Sequence, residues 1–236
     1  MRTLRAGLLA LVILGAGVAG QTARAEEPLP PFGWARTPVV GLQVGHWQAQ
    51  QLPDELADLR DNSGADRDGY KELDANYAVT EAAATVLRTE GVKVDVLPAT
   101  VPPGYQADAF VAVHADQDQG QQWRGYKIAP SAVTLAKAGS RLLADDIAGD
   151  YAAQTGLPPD LHPKAISQDM RYYFAFNWRY YEHAIAPGTP AAIIELGFIT
   201  DQTDREMLFD HPDVAAQGLA NGILGFLESE PGLTQQ

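Results

Sequence analysis

The chain has 236 residues, 46% of them hydrophobic and 20% charged, proportions that call for a buried core and exclude wholesale disorder. Its formal charge of -13 argues against nucleic acid or an anionic membrane as a partner, because such binding needs basic clusters and none stands out. The absence of cysteine excludes disulfide frameworks, thiolate metal sites, iron–sulfur clusters and cysteine nucleophiles together.

Residues 1–25 read as a signal peptide. Arg2 and Arg5 lie ahead of an apolar run from Ala6 to Ala19 that is too short to span a bilayer, and Ala23-Arg24-Ala25 has the small-x-small pattern of a cleavage site. An uncleaved anchor is the alternative reading. Cleavage after Ala25 makes an exported protein, periplasmic or extracellular, and removes three arginines, so the mature chain is more acidic still. No later stretch is apolar for long enough to span a membrane. Residues 26–37 form a Pro-rich leader, 38–229 a single domain and 230–236 a tail.

Within the domain, Val39 to Val44 reads as a buried strand ending at Gly45-His46. Trp47 to Gly69 is acidic and without periodicity, which predicts a long surface loop. Leu73, Tyr77, Ala84 and Leu87 line one face of a helix that Gly91 stops. Val92 to Leu97 is a strand, and Ala109 to Val113 is another that runs straight into His114. Leu135, Gly139, Leu143, Ile147 and Tyr151 recur every four residues, a second helix. Ala191 to Ile194 is a further buried strand, ending at Glu195. Pro212 opens a last helix with Ala215, Leu219, Ile223 and Leu227 on one face. Strands alternating with helices predict an α/β sandwich in one domain.

His46, His114 and Glu195 each follow a short apolar strand, and Glu72 opens a helix. In open α/β sheets, sites form beyond the carboxyl ends of the strands. Two His and a Glu are a frequent zinc set, and a further carboxylate would serve as proton acceptor for a zinc-activated water. The plain alternative is that strand-end histidines are structural or simply exposed. The aromatic run around Met170 to Ile185 reads either as a substrate wall or as core packing. Arg171, Trp178 and Arg179 are its candidate substrate contacts, the two arginines as forks for a substrate carboxylate. Asn76 and Asp116 are candidates to orient the ligating side chains. The acidic stretch Asp54 to Asp68 lacks the register of a calcium loop. The Ser-x-x-Lys, Gly-x-Ser-x-Gly and His-Glu-x-x-His arrangements are absent.

Four segments resemble the motifs of the zinc-dependent N-acetylmuramoyl-L-alanine amidases of the type called amidase 3. They are Val40-Gly41-Leu42-Gln43-Val44-Gly45-His46, Lys71-Glu72-Leu73-Asp74-Ala75-Asn76, Val111-Ala112-Val113-His114-Ala115-Asp116 and Ile194-Glu195-Leu196-Gly197-Phe198-Ile199-Thr200. The resemblance implies one zinc ion bound by His46, Glu72 and His114, with Glu195 catalytic. It also implies a mixed, mostly parallel sheet flanked by helices in a three-layer sandwich, and cleavage of the amide between N-acetylmuramic acid and L-alanine in peptidoglycan or muropeptides. The segments depart from the family pattern at supporting positions: Gln43 where Asp is usual, Trp47-Gln48-Ala49 where a Gly-Gly with a nearby Asp follows the first His, Ala112 for Ser and Asp116 for Asn. These changes keep two alternatives in view, a zinc amidohydrolase or peptidase acting on another amide, and a wall-associated regulator without turnover.

Overall fold

The near-continuous apolar runs of the predicted strands give each strand two faces to bury, and the computed structural model shows both of them used. It describes residues 33–120, 122–162 and 164–234, so the predicted signal peptide lies outside the described residues. Five strands form the main sheet: β1 (Val39–Val44), β4 (Lys93–Leu97), β5 (Ala109–Asp116), β6 (Lys127–Pro130) and β7 (Ala191–Phe198). Their order is β4-β1-β5-β7-β6. All pairs are parallel except β6 with β7. The sheet is therefore mixed and mostly parallel, in a single domain.

Val40 and Leu42 of β1, Val111 and Val113 of β5, and Ala192, Ile194 and Leu196 of β7 face one way, into the larger core. Three long helices cover that face: α1 (Glu72–Thr89), α2 (Lys137–Thr155) and α5 (Pro212–Ser229). Phe110, Ala112, Ala191 and Ile193 face the opposite way. A layer of short turns and loops covers that side, including α3 (Gln168–Arg171), a 3-10 turn at Phe174–Phe176, and Val101 and Ile185. His114 and Glu195 continue the second face at the carboxyl ends of their strands. They are register partners across β5 and β7.

Several expectations are revised. The stretch after His46 carries 3-10 turns at Ala49–Gln51 and Asp54–Leu59, and a hairpin of β2 (Asp66–Arg67) with β3 (Tyr70–Lys71). Ala49, Leu52 and Leu56 are buried in a small core of their own, which anchors a stretch that looks like free loop by composition. Tyr77 is exposed, packed edge-on against Trp47, because the inner face of α1 is built instead from Ala75, Val79, Ala83 and Leu87. Leu135 precedes α2 and is 66% exposed. β6 escaped the sequence reading because it is only four residues long and ends in Pro130, which an edge strand tolerates. At the ends, Trp34 from the Pro-rich leader is fully buried, and Ala35 donates to the carbonyl of Leu233, which is itself buried. The packed domain thus draws in residues from both flanks. α4 (Gln202–Arg205) leads toward α5 and is capped by the Asp201 side chain. No helix of the described residues is long and apolar enough to cross a membrane.

Candidate metal centre

The first strand ends in a tight turn. Trp47 donates to the carbonyl of Val44 at 3.3 Å, and His46 takes a positive φ of 65°. A non-glycine residue in that region is uncommon and tends to occur at functional sites. The His46 Nδ1 lies 3.0 Å from the Asn62 carbonyl, and its Nε2 lies 3.1 Å from Glu72 Oε1. A carbonyl only accepts, so Nδ1 carries the proton there.

Glu72 is the first residue of α1, where the helix dipole favours a carboxylate. Its Oε2 accepts from the Ala65 amide at 2.8 Å. Its Oε1 accepts from the Asn76 side chain at 3.2 Å and the Ala115 amide at 3.3 Å. Asn76 is one turn along the same helix, which explains why it reaches the carboxylate. His114, at the end of β5, puts Nδ1 3.0 Å from Glu72 Oε1 and Nε2 3.1 Å from the Tyr173 hydroxyl. Burial alone raises the Glu72 carboxyl, but hydrogen bonds and charges from His114 and His46 outweigh it and hold the group well below the usual carboxylate range. Burial likewise pulls His46 down, while Glu72 and the Asn62 carbonyl raise it further than burial lowers it.

His46, Glu72 and His114 are the group among the described residues whose donor atoms converge as metal ligands do, all within 4.8 Å of one another. Two imidazoles and a carboxylate, with no thiolate, match the donor set of a hydrolytic zinc site. In both rings the nitrogen turned away from Glu72 has its own hydrogen-bond partner, which leaves the facing nitrogen for an ion.

These residues lie in a cleft of about 600 Å³. Leu52, Leu59 and Asn62 line one side, and Met170, Tyr172, Tyr173 and Phe174 the other. Asp116 and Glu195 also line it. Burial pushes the Glu195 carboxyl well above its ordinary range, the charges of Glu72 and Asp116 add to the effect, and Lys127 opposes it. Lys127 is the register partner of Glu195 on β6, and its ammonium pairs with Asp116.

Asp116 therefore holds Lys127 and touches neither imidazole, whereas Asn76 does bond Glu72. The ring nitrogens are met instead by Asn62 and Tyr173, which sequence reasoning passed over. Arg171, Trp178 and Arg179 are not among the residues lining the cleft. The Trp178 indole donates to the Val133 carbonyl and carries Arg179 on its face, so both are engaged with each other. Arg171 is exposed. The aromatic run divides between the two readings: Phe176 is fully buried in the core, while Tyr172, Tyr173 and Phe174 wall the cleft.

A profile of the N-acetylmuramoyl-L-alanine amidase family matches residues 42–225. No curated protein sequence matches. Among solved structures, the chain is similar to the N-acetylmuramyl-L-alanine amidase Ami1 of Mycobacterium smegmatis, with 20% identity, a TM-score of 0.58 and coverage of 82% of this chain and 98% of that one. It is similar to an N-acetylmuramoyl-L-alanine amidase of Clostridium difficile 630, with 16% identity, TM-score 0.55 and coverage of 82% and 98%. It is also similar to the catalytic domain of CwlV from Bacillus (Paenibacillus) polymyxa, with 18% identity, TM-score 0.54 and coverage of 82% and 100%. At these identities the likeness is one of fold.

Proposed function

The chain belongs to the N-acetylmuramoyl-L-alanine amidase family, and from that premise we propose that a single zinc ion, held by His46, Glu72 and His114, serves its hydrolysis of the amide between N-acetylmuramic acid and L-alanine in peptidoglycan. It is a cell-wall hydrolase by family. The observation that carries the zinc assignment is the convergence of two imidazole nitrogens and a carboxylate oxygen beside Glu195 in an open cleft. When bound, zinc supplies Lewis acidity to the scissile carbonyl and lowers the pKa of the attacking water.

The remaining steps belong to the protein. Glu195 accepts the proton of the attacking water and returns it to the nitrogen of the departing L-alanine. An efficient acid–base group titrates near the working pH, and the burial that raises the Glu195 carboxyl moves it in that direction. Lys127 and Asp116 neutralise one another beside it, which keeps a second free charge out of the cleft. Leu52, Leu59 and Phe174 give the stem peptide an apolar wall. A wall substrate places the work outside the cytoplasm, in keeping with the predicted signal peptide.

The test is metal analysis of the purified chain combined with mass spectrometry of digested peptidoglycan. Stoichiometric zinc and release of peptides with a free L-alanine amino terminus are expected. Glu195→Gln lowers turnover about 10²- to 10⁴-fold while zinc stays bound. Unchanged turnover in that variant, or a chain that holds no zinc, overturns the reading.

A further inference from the structure

The segment with α3 and the following 3-10 turn does more than cover the sheet. From it, Tyr173 places its hydroxyl 3.1 Å from His114 Nε2, on the side of the ring opposite Glu72. The same tyrosine packs edge-on against the His114 ring, with centroids 5.5 Å apart, and against Phe174 and Phe176. On its other edge the His114 ring meets His46, with centroids 4.9 Å apart. The imidazole is thus held by contacts on several sides, and each of its nitrogens has one partner.

A neutral imidazole carries one N–H, and the partner at one nitrogen decides which atom is left with a lone pair at the other. His46 shows how this is done with a fixed acceptor: the Asn62 carbonyl takes the Nδ1 proton and leaves Nε2 toward Glu72. A hydroxyl differs from a carbonyl because it either donates or accepts, according to how its hydrogen rotates. In the neutral metal-free ring of His114, Nδ1–H donates to the Glu72 carboxylate and the phenol donates to Nε2. An ion held with Glu72 would need the Nδ1 lone pair, so the ring N–H would sit at Nε2 and the same phenol oxygen would accept it. A partner fixed as donor or as acceptor would serve only one of the two states. Ligating histidines are usually held by such an outer contact, and its loss typically costs about 10- to 100-fold in metal affinity or activity.

We propose that Tyr173 is a positioning residue for His114, whose reversible hydroxyl keeps Nδ1 aimed at Glu72 in both the metal-free and the zinc-loaded protein. This rests on the zinc assignment above and adds to it a side chain that ties the cleft's far wall to a ligand. The Tyr173 oxygen is not placed on the substrate, and its effect passes through the ring it holds.

The test is Tyr173→Phe in the full chain, which removes one oxygen and keeps the ring contacts. Two quantities are read: zinc affinity, by competition with a calibrated chelator, and the ¹⁵N shifts of the His114 imidazole, with and without zinc. The expected result is a zinc affinity lower by about 10- to 100-fold, together with a displaced Nε2 shift in both states and an unchanged melting temperature of the metal-free protein. Tyr180→Phe, at a side chain 79% exposed, is the control and leaves all three as in the wild type. Wild-type affinity and wild-type ¹⁵N shifts in Tyr173→Phe overturn the proposal even if zinc binds. If the wild-type chain binds no zinc, the metal assignment falls, and the metal-free ¹⁵N shifts still decide whether Tyr173 holds His114.

Discussion

Gly45, between β1 and His46, has a role that only its missing side chain explains. Its amide donates to the Val113 carbonyl at 2.9 Å, which sews the end of β1 to β5. A Cβ at this position would stand 2.4 Å from His114 Cε1 and 2.6 Å from each ring nitrogen, closer than real contacts allow. The obstruction would be a planar ring already held by Glu72 and Tyr173, not the free end of a flexible chain. Gly45→Ala therefore pushes the imidazole off its position. The expected outcome is a zinc affinity at least about 10-fold lower, as for other losses of ligand positioning, with a smaller effect on the metal-free fold. Chelator competition and thermal melting separate the two. The three proposed ligands and the proposed acid–base residue, Glu195, were legible in the sequence because each is chemically distinctive and sits at a strand end or a helix start. Gly45, Asn62 and Tyr173 were not, because a glycine, a loop carbonyl and one tyrosine among many carry no local signature of the ring they touch.

Two pairs of elements carry tests of their own. α2 and α5 cross closely because Gly218 and Gly222, four apart and so on one face, present no side chain to α2. A Cβ on Gly222 would lie 2.4 Å from the Ile147 Cα, and one on Gly218 2.9 Å from the Tyr151 Cα, in both cases against backbone. Gly222→Ala must separate the helices, and overpacking of this kind costs about 1–3 kcal/mol. A lower denaturant midpoint with unchanged turnover per folded molecule is expected. The second pair joins the 3-10 turn at Asp54–Leu59 to residues 182–183. Glu55, on the 3-10 turn at Asp54–Leu59, accepts from the Glu182 amide at 2.9 Å, and from the His183 amide at 2.8 Å and its ring at 2.9 Å. The Glu182 amide bond, and then the His183 contacts, hold this carboxyl below its ordinary value of 4.5. The folded state thus binds its proton less readily than the unfolded chain does, so the contact contributes fully above pH 4.5 and is lost as pH falls through the lower folded value. The Glu182 and His183 amide resonances should titrate with a midpoint below 4.5, and Glu55→Gln should abolish that titration. A midpoint at or above 4.5 refutes the linkage.

Across the whole molecule, the alternation of strands and helices was enough to foresee the α/β architecture, since period and length report burial directly. The layer opposite the long helices was not foreseeable in the same way: it consists of short turns whose contacts are set by distant parts of the chain. The candidate centre joins those levels. His46 follows β1, Glu72 opens α1 and His114 ends β5, so three segments far apart in sequence meet at one point. An ion bound there is a cross-link of the folded state that the unfolded chain cannot reproduce, and its binding free energy adds to stability. At free zinc 100-fold above the dissociation constant the gain is about 2.7 kcal/mol, or about 5–10 °C in melting temperature for a domain of this size. Scanning calorimetry with zinc, and again after chelation, should show that difference. His114→Ala should remove the zinc-dependent part, leaving one melting temperature that no longer responds to the ion. If chelation leaves the wild-type melt unmoved while zinc is shown to have been present and removed, the ion is not held by the folded segments named here.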